Sequence, residues 1–497
     1  MEIAARPANI TVDHAIGWLN AQSGKPFFMW LHLFDAHQPY NPPPQFKREY
    51  PADPYDAAIA FEDQQVGRFL NAVKQKSPAN NTLIVLLSDH GQSLGQHGEY
   101  EHGIFLYDST VRIPWIMTGP GIPAGIIVRQ QVREIDLLPT ILDLLGGKAS
   151  SVVQGITLTP AFSGKAVSST YSYEETLCPK INMGWSELRG IHTAHWMYVR
   201  APRPELYNLD RDPDELNNVI DAHPKEYREL DFQLKKLSGL GKTDAETLVT
   251  NHMDQDTMEQ LKSLGYVSNF SARNIELDGK GDDPKDHIAT LKLLETIADT
   301  KNISPARELE LLRQGLTHDP ANPTLYGWLI DFYERSGQYP QAKQACLDAL
   351  HLGIQNGMLS RLARLYLREG NLEEAVSYYQ KAAQLDPLDI LGQTNLANAY
   401  LQTGRNADAE RVFQWVLAVQ PYAPAYNGLG MVANKRNDVA AARKNFERAV
   451  QLDPAYVEGQ LNLGIVCTQT HDIPCARTAF RAFLAKATPD YGKIIVQ

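Results

Sequence analysis

Thr82-Leu-Ile-Val-Leu-Leu-Ser-Asp-His-Gly-Gln-Ser-Leu-Gly-Gln-His-Gly-Glu-Tyr-Glu-His-Gly103 begins as a strand and ends as a cluster of ionisable side chains. The apolar run Leu83–Leu87 is too short for a buried helix and is unbroken by polar residues, the pattern of a strand covered on both faces. Gly91 permits a turn directly after it, so the carboxylate of Asp89 and the imidazole of His90 can face one hard or borderline cation. A second run of the same kind, Pro26-Phe-Phe-Met-Trp-Leu-His-Leu-Phe34, leads into Asp35-Ala-His37-Gln-Pro39-Tyr40. Asp35, His37, Asp89, His90, His97, Glu99 and His102 thus gather in two loops at expected strand ends. Charge and imidazole concentrated there would be costly unless metal or anion chemistry used them.

Working outward, helical patterns over Asp56–Lys74 and Asp136–Leu145 alternate with strand patterns, the last at Pro114–Met117. Alternation of this kind predicts an α/β domain with a mainly parallel sheet, in which ligands bind beyond the carboxyl ends of the strands.

From about residue 285 the grammar changes. Ala342, Ala375, Ala409, Ala442 and Ala476 are separated by 33, 34, 33 and 34 residues. Leu329, Leu362, Leu396, Leu429 and Leu463 keep the same period, as do Tyr333, Tyr366 and Tyr400, and Pro387, Pro421 and Pro454 close three units. Small residues at fixed places let two antiparallel helices approach closely, and a terminal proline stops the second helix. The pattern resembles the tetratricopeptide repeat and predicts five units over 323–490. An irregular helical pair at 285–322 lacks the small-residue pattern and is expected to cap them. The polar, Gly/Asp-rich stretch 271–284 is expected to be a linker.

The chain has 497 residues with 47 Lys+Arg against 58 Asp+Glu, a net charge of −11. That length predicts two to four domains, and the acidic balance argues against a general nucleic-acid binder. No apolar run reaches the ~20 residues needed to cross a bilayer. Residues 1–11 show no signal-peptide pattern. None of the four cysteines has CxxC spacing; Cys467 and Cys475 could meet across a helical hairpin, but buried free thiols are expected. Asn80-Asn-Thr82 and Asn302-Ile-Ser304 match glycosylation sequons, a match frequent by chance.

The run Asp89-His-Gly-Gln-Ser-Leu-Gly-Gln-His-Gly98, with Arg112-Ile-Pro114 and the Gly119-Pro-Gly121 turn, resembles the sulfatase family of the alkaline-phosphatase superfamily. So do Pro26-Phe-Phe with His37-Gln-Pro-Tyr40, Asp136-Leu-Leu-Pro-Thr140, and Glu205-Leu-Tyr-Asn-Leu209 followed by Asp212-Pro213 and Asn217. The resemblance spans about residues 12–270 and implies an α/β sulfatase-like domain, incomplete at its N-terminus, ahead of an all-α repeat solenoid. It divides that domain into the C-terminal part of the catalytic domain (1–160) and a C-terminal subdomain (161–270). It implies a divalent cation, calcium above all, held in part by Asp89 and His90. His37 resembles the imidazole that touches the transferred group, and His102 stands where many sulfatases place a charge-neutralising lysine. His97 and Glu99 are expected to support the ligands or to fix the loop, and Arg112 to be structural. The family's nucleophile, a formylglycine made in a Cys-x-Pro-Ser-Arg motif or a Thr or Ser, has no counterpart here, nor has its acidic pair of metal ligands. The isolated chain is therefore expected to have weak or no hydrolase activity.

The expected substrate is a sulfate ester, small or glycan-borne. A phosphatase, phosphodiesterase or phosphonate hydrolase on the same fold is the alternative, with Asp35, His37, Asp89, His90 and His102 helping to hold zinc or manganese. A third reading, an inert scaffold, places a peptide on the solenoid through Arg335, Arg364, Arg368 and Lys435. The sequence leaves the compartment open between periplasm and cytoplasm.

Overall fold

The computed structural model describes residues 6–22, 25–76, 81–167, 171–240, 279–299, 303–355 and 357–486. The end of the expected subdomain (241–270), the start of the expected linker (271–278) and the sequon asparagines Asn80 and Asn302 lie outside the described residues. The chain forms two compact units, one of described residues up to Asp319 and one from Pro320 onward.

In the first unit, helix α1 (Ala8–Ala21) buries Ala8, Val12, Ala15 and Leu19, spaced three and four apart as one helical face requires. That face packs on α3 (Pro54–Lys76). Ala8, Ala57 and Phe61 form a cluster with Leu33 and with Phe46 of the short helix α2 (Pro44–Glu49). Strands β1 (Ile84–Leu87) and β2 (Trp115–Thr118) pair antiparallel, Leu86 opposite Ile116. Helices α4 (Asp108–Val111) and α5 (Leu137–Leu144) flank β2 in the chain.

Strands β3 (Ser172–Thr176), β4 (Leu188–His192), β5 (Trp196–Arg200) and β6 (Glu205–Asn208) make an antiparallel meander. Alternation along it serves two layers. Ile191, Tyr198 and Leu206 meet Leu230 and Leu234 of α6 (Pro224–Leu240). Leu188, Met197, Val199 and Tyr207 meet Ile104–Tyr107, Trp185 and Leu291 of α7 (Ile288–Asp299). Helix α8 (Pro305–His318) follows α7, and Asp319 accepts a hydrogen bond from the buried Trp185 indole at 2.8 Å.

Three sequence expectations need correction here. The described sheets are antiparallel, not mainly parallel. The alternation of patterns reports local conformation, whereas direction depends on the connections. Residues 193–195 and 201–204 are turns far too short for the crossover a parallel pair needs. The run 27–34 likewise joins no ladder among the described residues. Nor is the end of the expected linker a free tether. The amide of Gly279 donates to Glu187 at 2.9 Å, and the buried Asp283 accepts from the Lys285 amide at 3.0 Å.

Among the described residues the second unit stacks five antiparallel helical pairs: α9 (Pro323–Arg335) with α10 (Tyr339–His351), α11 (Met358–Arg368) with α12 (Leu372–Leu385), α13 (Ile390–Gln402) with α14 (Asn406–Val419), α15 (Ala423–Lys435) with α16 (Val439–Leu452), and α17 (Val457–Gln469) with α18 (Ile473–Lys486). The recurring alanines are buried, Ala342, Ala375, Ala409 and Ala442 completely. Asn322 caps α9 by accepting from the Leu325 amide, with Pro323 at the first helical position. The thiols expected to be free at Cys467 and Cys475 are joined in a disulfide. A tight turn between α17 and α18 brings residues eight apart across from each other, Cα atoms 5.9 Å apart, inside the span a disulfide bridges.

Candidate active site

The glycine of Ser88-Asp89-His90-Gly91 is required by a close approach. A Cβ there would collide with the Ser109 carbonyl, and the Gly91 amide donates to Thr110 at 2.8 Å. This clamps the end of β1 to α4 and turns Asp89 and His90 out together. The Asp89 carboxylate accepts from the His90 amide at 3.0 Å, and its Oδ1 lies 3.8 Å from His90 Nε2.

Three histidines from two separate loops meet beside that pair. The rings of His90 and His102 stack, centroids 3.9 Å apart, and His37 stands edge-on to His102 at 5.1 Å. Phe34 backs the far side of His37, stacked at 4.4 Å. Each ring is tied through Nδ1 to a carbonyl oxygen: His90 to Gly91 at 2.8 Å, His102 to Gln92 at 2.9 Å, and His37 to Gln38 at 2.6 Å. Carbonyl oxygens only accept, so each ring carries a proton on Nδ1 and keeps the Nε2 lone pair for other work. Gln92 is itself oriented by donating to the Tyr40 hydroxyl at 2.7 Å.

Burial sets the electrostatics. It pushes His102 down to about 4, helped by the charges of His90 and His37 and opposed by Asp89. It pushes the Tyr40 phenol up to about 12 despite the hydrogen bond from Gln92. Burial also raises Glu134, and the charge of Asp89 adds to it while His90 opposes. Glu134 is thus a second carboxyl near the pair, beside that of Asp89, and no motif in its surroundings marks it. Glu62 was equally unmarked. It accepts from the Ala36 amide at 3.1 Å, and burial with the charge of Asp35 raises it to about 7.

Each of the other candidates has a contact within the fold. Asp35 accepts from the first amide of α1, Ala8, at 2.8 Å. Glu99 is buried and accepts from the amides of Ile104 and Phe105 at 2.8 and 3.2 Å, closing the loop; burial raises it to about 7. His97 stacks on Tyr107 at 3.6 Å in a left-handed backbone conformation. Arg112 is exposed and pairs with Asp108 at 3.3 Å.

Residues 6–147 match the family model described as sulfatase, and 95–241 match that of the N-sulphoglucosamine sulphohydrolase C-terminal region. Tetratricopeptide-repeat models match 358–389, 394–457 and 429–492. The chain joins a sulfatase-family region to tetratricopeptide repeats.

Human arylsulfatase K is 29% identical to the sulfatase-family region over 207 residues, 38% of this chain and 37% of the relative. Zebrafish arylsulfatase K is 26% identical over 245 residues, 46% and 45%. The chain spans less than half the length of these curated relatives. Two solved structures are similar in part. One is BT4656 in complex with D-glucosamine-2-N,6-O-disulfate, at 19% identity and a TM-score of 0.40, covering 48% of this chain and 71% of that one. The other is a tetratricopeptide repeat protein from Parabacteroides merdae, at 19% and 0.36, covering 40% and 81%.

Within the sulfatase-family region the donor chemistry of Asp89 and His90 suits a divalent cation. One offers a carboxylate, the other a lone pair on Nε2, and their 3.8 Å separation lies within the span of two bonds of about 2.3–2.6 Å each to one ion. Among the described residues no group of three or more His, Cys, Asp or Glu is placed to hold a metal. The pair fits as part of a site. In the tetratricopeptide region, Arg364 is bound to Glu334 at 2.6 Å, Arg368 lies over the Tyr339 ring at 3.9 Å, and Lys435 donates to the Leu401 carbonyl at 2.6 Å. Arg335 also has an interaction of its own. Arg364, Arg368 and Lys435 thus have partners within the array.

Proposed function

We propose that the sulfatase-family region acts on sulfate esters, sulfated sugars being the substrate class favoured by the match to the sulphoglucosamine sulphohydrolase family. The observation that carries this reading is the meeting of His37, His90 and His102, each tied through Nδ1 to a carbonyl, beside the Asp89 carboxylate.

Sulfate esters resist attack because negative oxygens surround sulfur, so the site's task is to offset charge. Asp89 and His90 would hold the divalent ion, calcium by family resemblance, which when bound supplies positive charge to the ester oxygens. His102 and His37 do the remainder. Their Nδ1 contacts prevent rotation and dedicate Nε2 to the substrate. An arriving sulfate brings negative charge beside His102 and raises its proton affinity. His102 then carries a proton on Nε2 as well and donates a hydrogen bond to a sulfate oxygen, while His37 touches the transferred group. The tetratricopeptide array is proposed to dock a protein partner.

The test uses the full chain with calcium, assayed in parallel on an aryl sulfate and an aryl phosphate. Sulfate turnover is expected to be weak, since no residue here matches the family's nucleophile, and its fall by about 10²–10³-fold in His102→Ala supports the reading. Faster turnover of the phosphate with two zinc or manganese ions bound overturns it. Inorganic sulfate should also shift the imidazole NMR signals of His37 and His102, and signals unmoved by sulfate would count against the assignment whatever the turnover.

A further inference from the structure

Helix α7 (Ile288–Asp299) lies after the sulfatase-type matches, which end at 241, and before the repeat matches, which begin at 358. Ile288, Leu291 and Glu295 are spaced three and four apart along it and share one helical face. Ile288 packs against Gly98 so closely that a Cβ there would come within 2.6 Å of it. Leu291 is buried in one cluster with Ile104–Tyr107. Glu295 completes the face by accepting from the Tyr100 amide at 3.3 Å. All three contacts fall on residues 98–107, the stretch that carries His102.

The helix is a fixed base for that stretch. Just before its first turn, the His287 imidazole stacks on Trp185 at 4.5 Å, and Lys285 pairs with Glu205 of β6 at 3.2 Å. A glutamate in the body of a helix ordinarily faces solvent, whereas this one reaches a loop 195 residues away in the chain. Tyr100 passes the hold on to the imidazole loops. Its carbonyl accepts from the Gln38 side-chain amide at 3.2 Å, and the Gln38 carbonyl is the group that ties His37 Nδ1. Gln92 makes a second crossing, since it ties His102 and donates to Tyr40 in the loop of His37. Imidazoles that must meet one ligand together need supports of this kind, anchored on a rigid element.

We propose that Glu295 is a positioning residue of the candidate active site: it holds Tyr100, and through Tyr100 and Gln38 it sets the separation of the His37 and His102 rings. Helix α7 is thereby part of the site's support and not only a spacer ahead of the repeats. The ligand readout below rests on the sulfate reading proposed above, whereas the positioning itself is independent of which ester is cleaved.

The experiment compares the full chain with Glu295→Ala and Glu295→Gln by NMR on isotope-labelled histidines. The nuclear Overhauser contact between the His37 and His102 rings, whose centroids lie 5.1 Å apart, is read without ligand. Exchange of the Tyr100 amide is followed alongside it, and the imidazole shifts with inorganic sulfate give an affinity. In Glu295→Ala the ring contact should weaken, the Tyr100 amide should exchange at least about tenfold faster, and sulfate should bind about 3–10-fold more weakly. Glu295→Gln keeps an acceptor oxygen in place and should return all three to within about twofold of the parent, a rescue that lost packing alone would not give. Should Glu295→Ala fail to fold, Gln38→Ala cuts the same link from the other loop and should weaken the ring contact by itself. A ring contact and a Tyr100 exchange rate at parent levels in Glu295→Ala, or no rescue by glutamine, would overturn the proposal. Imidazoles of the parent that ignore sulfate would overturn the sulfate reading instead, and the expected changes in ring contact and exchange would still support the positioning.

Discussion

The imidazole of His102 lies on that of His90, with centroids 3.9 Å apart and planes 30° from parallel. Two rings this close cannot both be charged without strong repulsion. His102 is the one that burial holds neutral, down to about pH 4. A neutral, Nδ1-protonated ring is therefore the resting form of the group that stands where many sulfatases place a lysine.

That depression has a stability signature. An unfolded histidine titrates near 6.5, so between about pH 6.5 and 4 the unfolded chain binds more protons than the folded one. The contribution of His102 is complete above pH 6.5 and is lost as pH falls toward 4, at up to ~1.4 kcal/mol per pH unit. Denaturant unfolding at pH 7 and pH 5 should show this loss, smaller in His102→Gln. An NMR midpoint for His102 near 6.5 would contradict it.

Two carboxyls bias stability the other way. Glu174 Oε1 lies 3.8 Å from His192 while Oε2 has no hydrogen-bond partner among the described residues, and Glu215 accepts from the Asp108 amide at 2.7 Å through Oε2 while Oε1 has none there. Burial above all raises both to about 8. Each holds a proton in the folded state that an unfolded glutamic acid releases near 4.3. Their contribution is full below that value and is lost as pH rises to about 8. Glu174→Gln should therefore be more stable than the parent at pH 8.5 by at least about 1 kcal/mol, with the difference shrinking at pH 5.

Two glycines should respond oppositely to alanine. A Cβ at Gly428 would collide with the Phe413 ring of the preceding helix pair, whereas Gly67 in α3 has open space. Gly428→Ala should lower the stability of the repeat array by about 1–3 kcal/mol. Gly67→Ala should raise that of the sulfatase-family region by about 0.5–1 kcal/mol. Thermal unfolding of each variant decides both.

Reduction should loosen only the last helix pair. The disulfide joins residues eight apart in the chain, and closing so short a loop is worth about 2–3 kcal/mol. Cys475→Ser, or reductant, should speed hydrogen exchange in α17 and α18 and leave β3–β6 unchanged. Equal exchange with and without reductant would argue against the bond.

Much of this molecule was legible before its structure. The repeats announced themselves through buried Ala342, Ala375, Ala409 and Ala442, because each lies where two neighbouring helices touch and the contact recurs at a fixed separation. Asp89-His90-Gly91 was legible for a similar reason, since a turn needing glycine and two donors side by side are local facts. Glu62 and Glu134 were invisible, because nothing near them in sequence distinguishes them from ordinary surface acids. Their shifts come from burial and from Asp35 and Asp89, distant in the chain.

By itself, then, the sequence determined what local periodicity and composition can encode: the helical repeats, the strands at 84–87 and 115–118 and the donors beside Gly91. Tertiary structure alone decided that β1 pairs antiparallel with β2, that Cys467 meets Cys475, that Glu99 closes a loop, and that His37, His90 and His102 converge with their protons on Nδ1. The division is physical. Backbone preference and side-chain period act within a few residues, whereas strand direction, disulfide partners, tautomers and proton affinities depend on groups that only folding brings into contact.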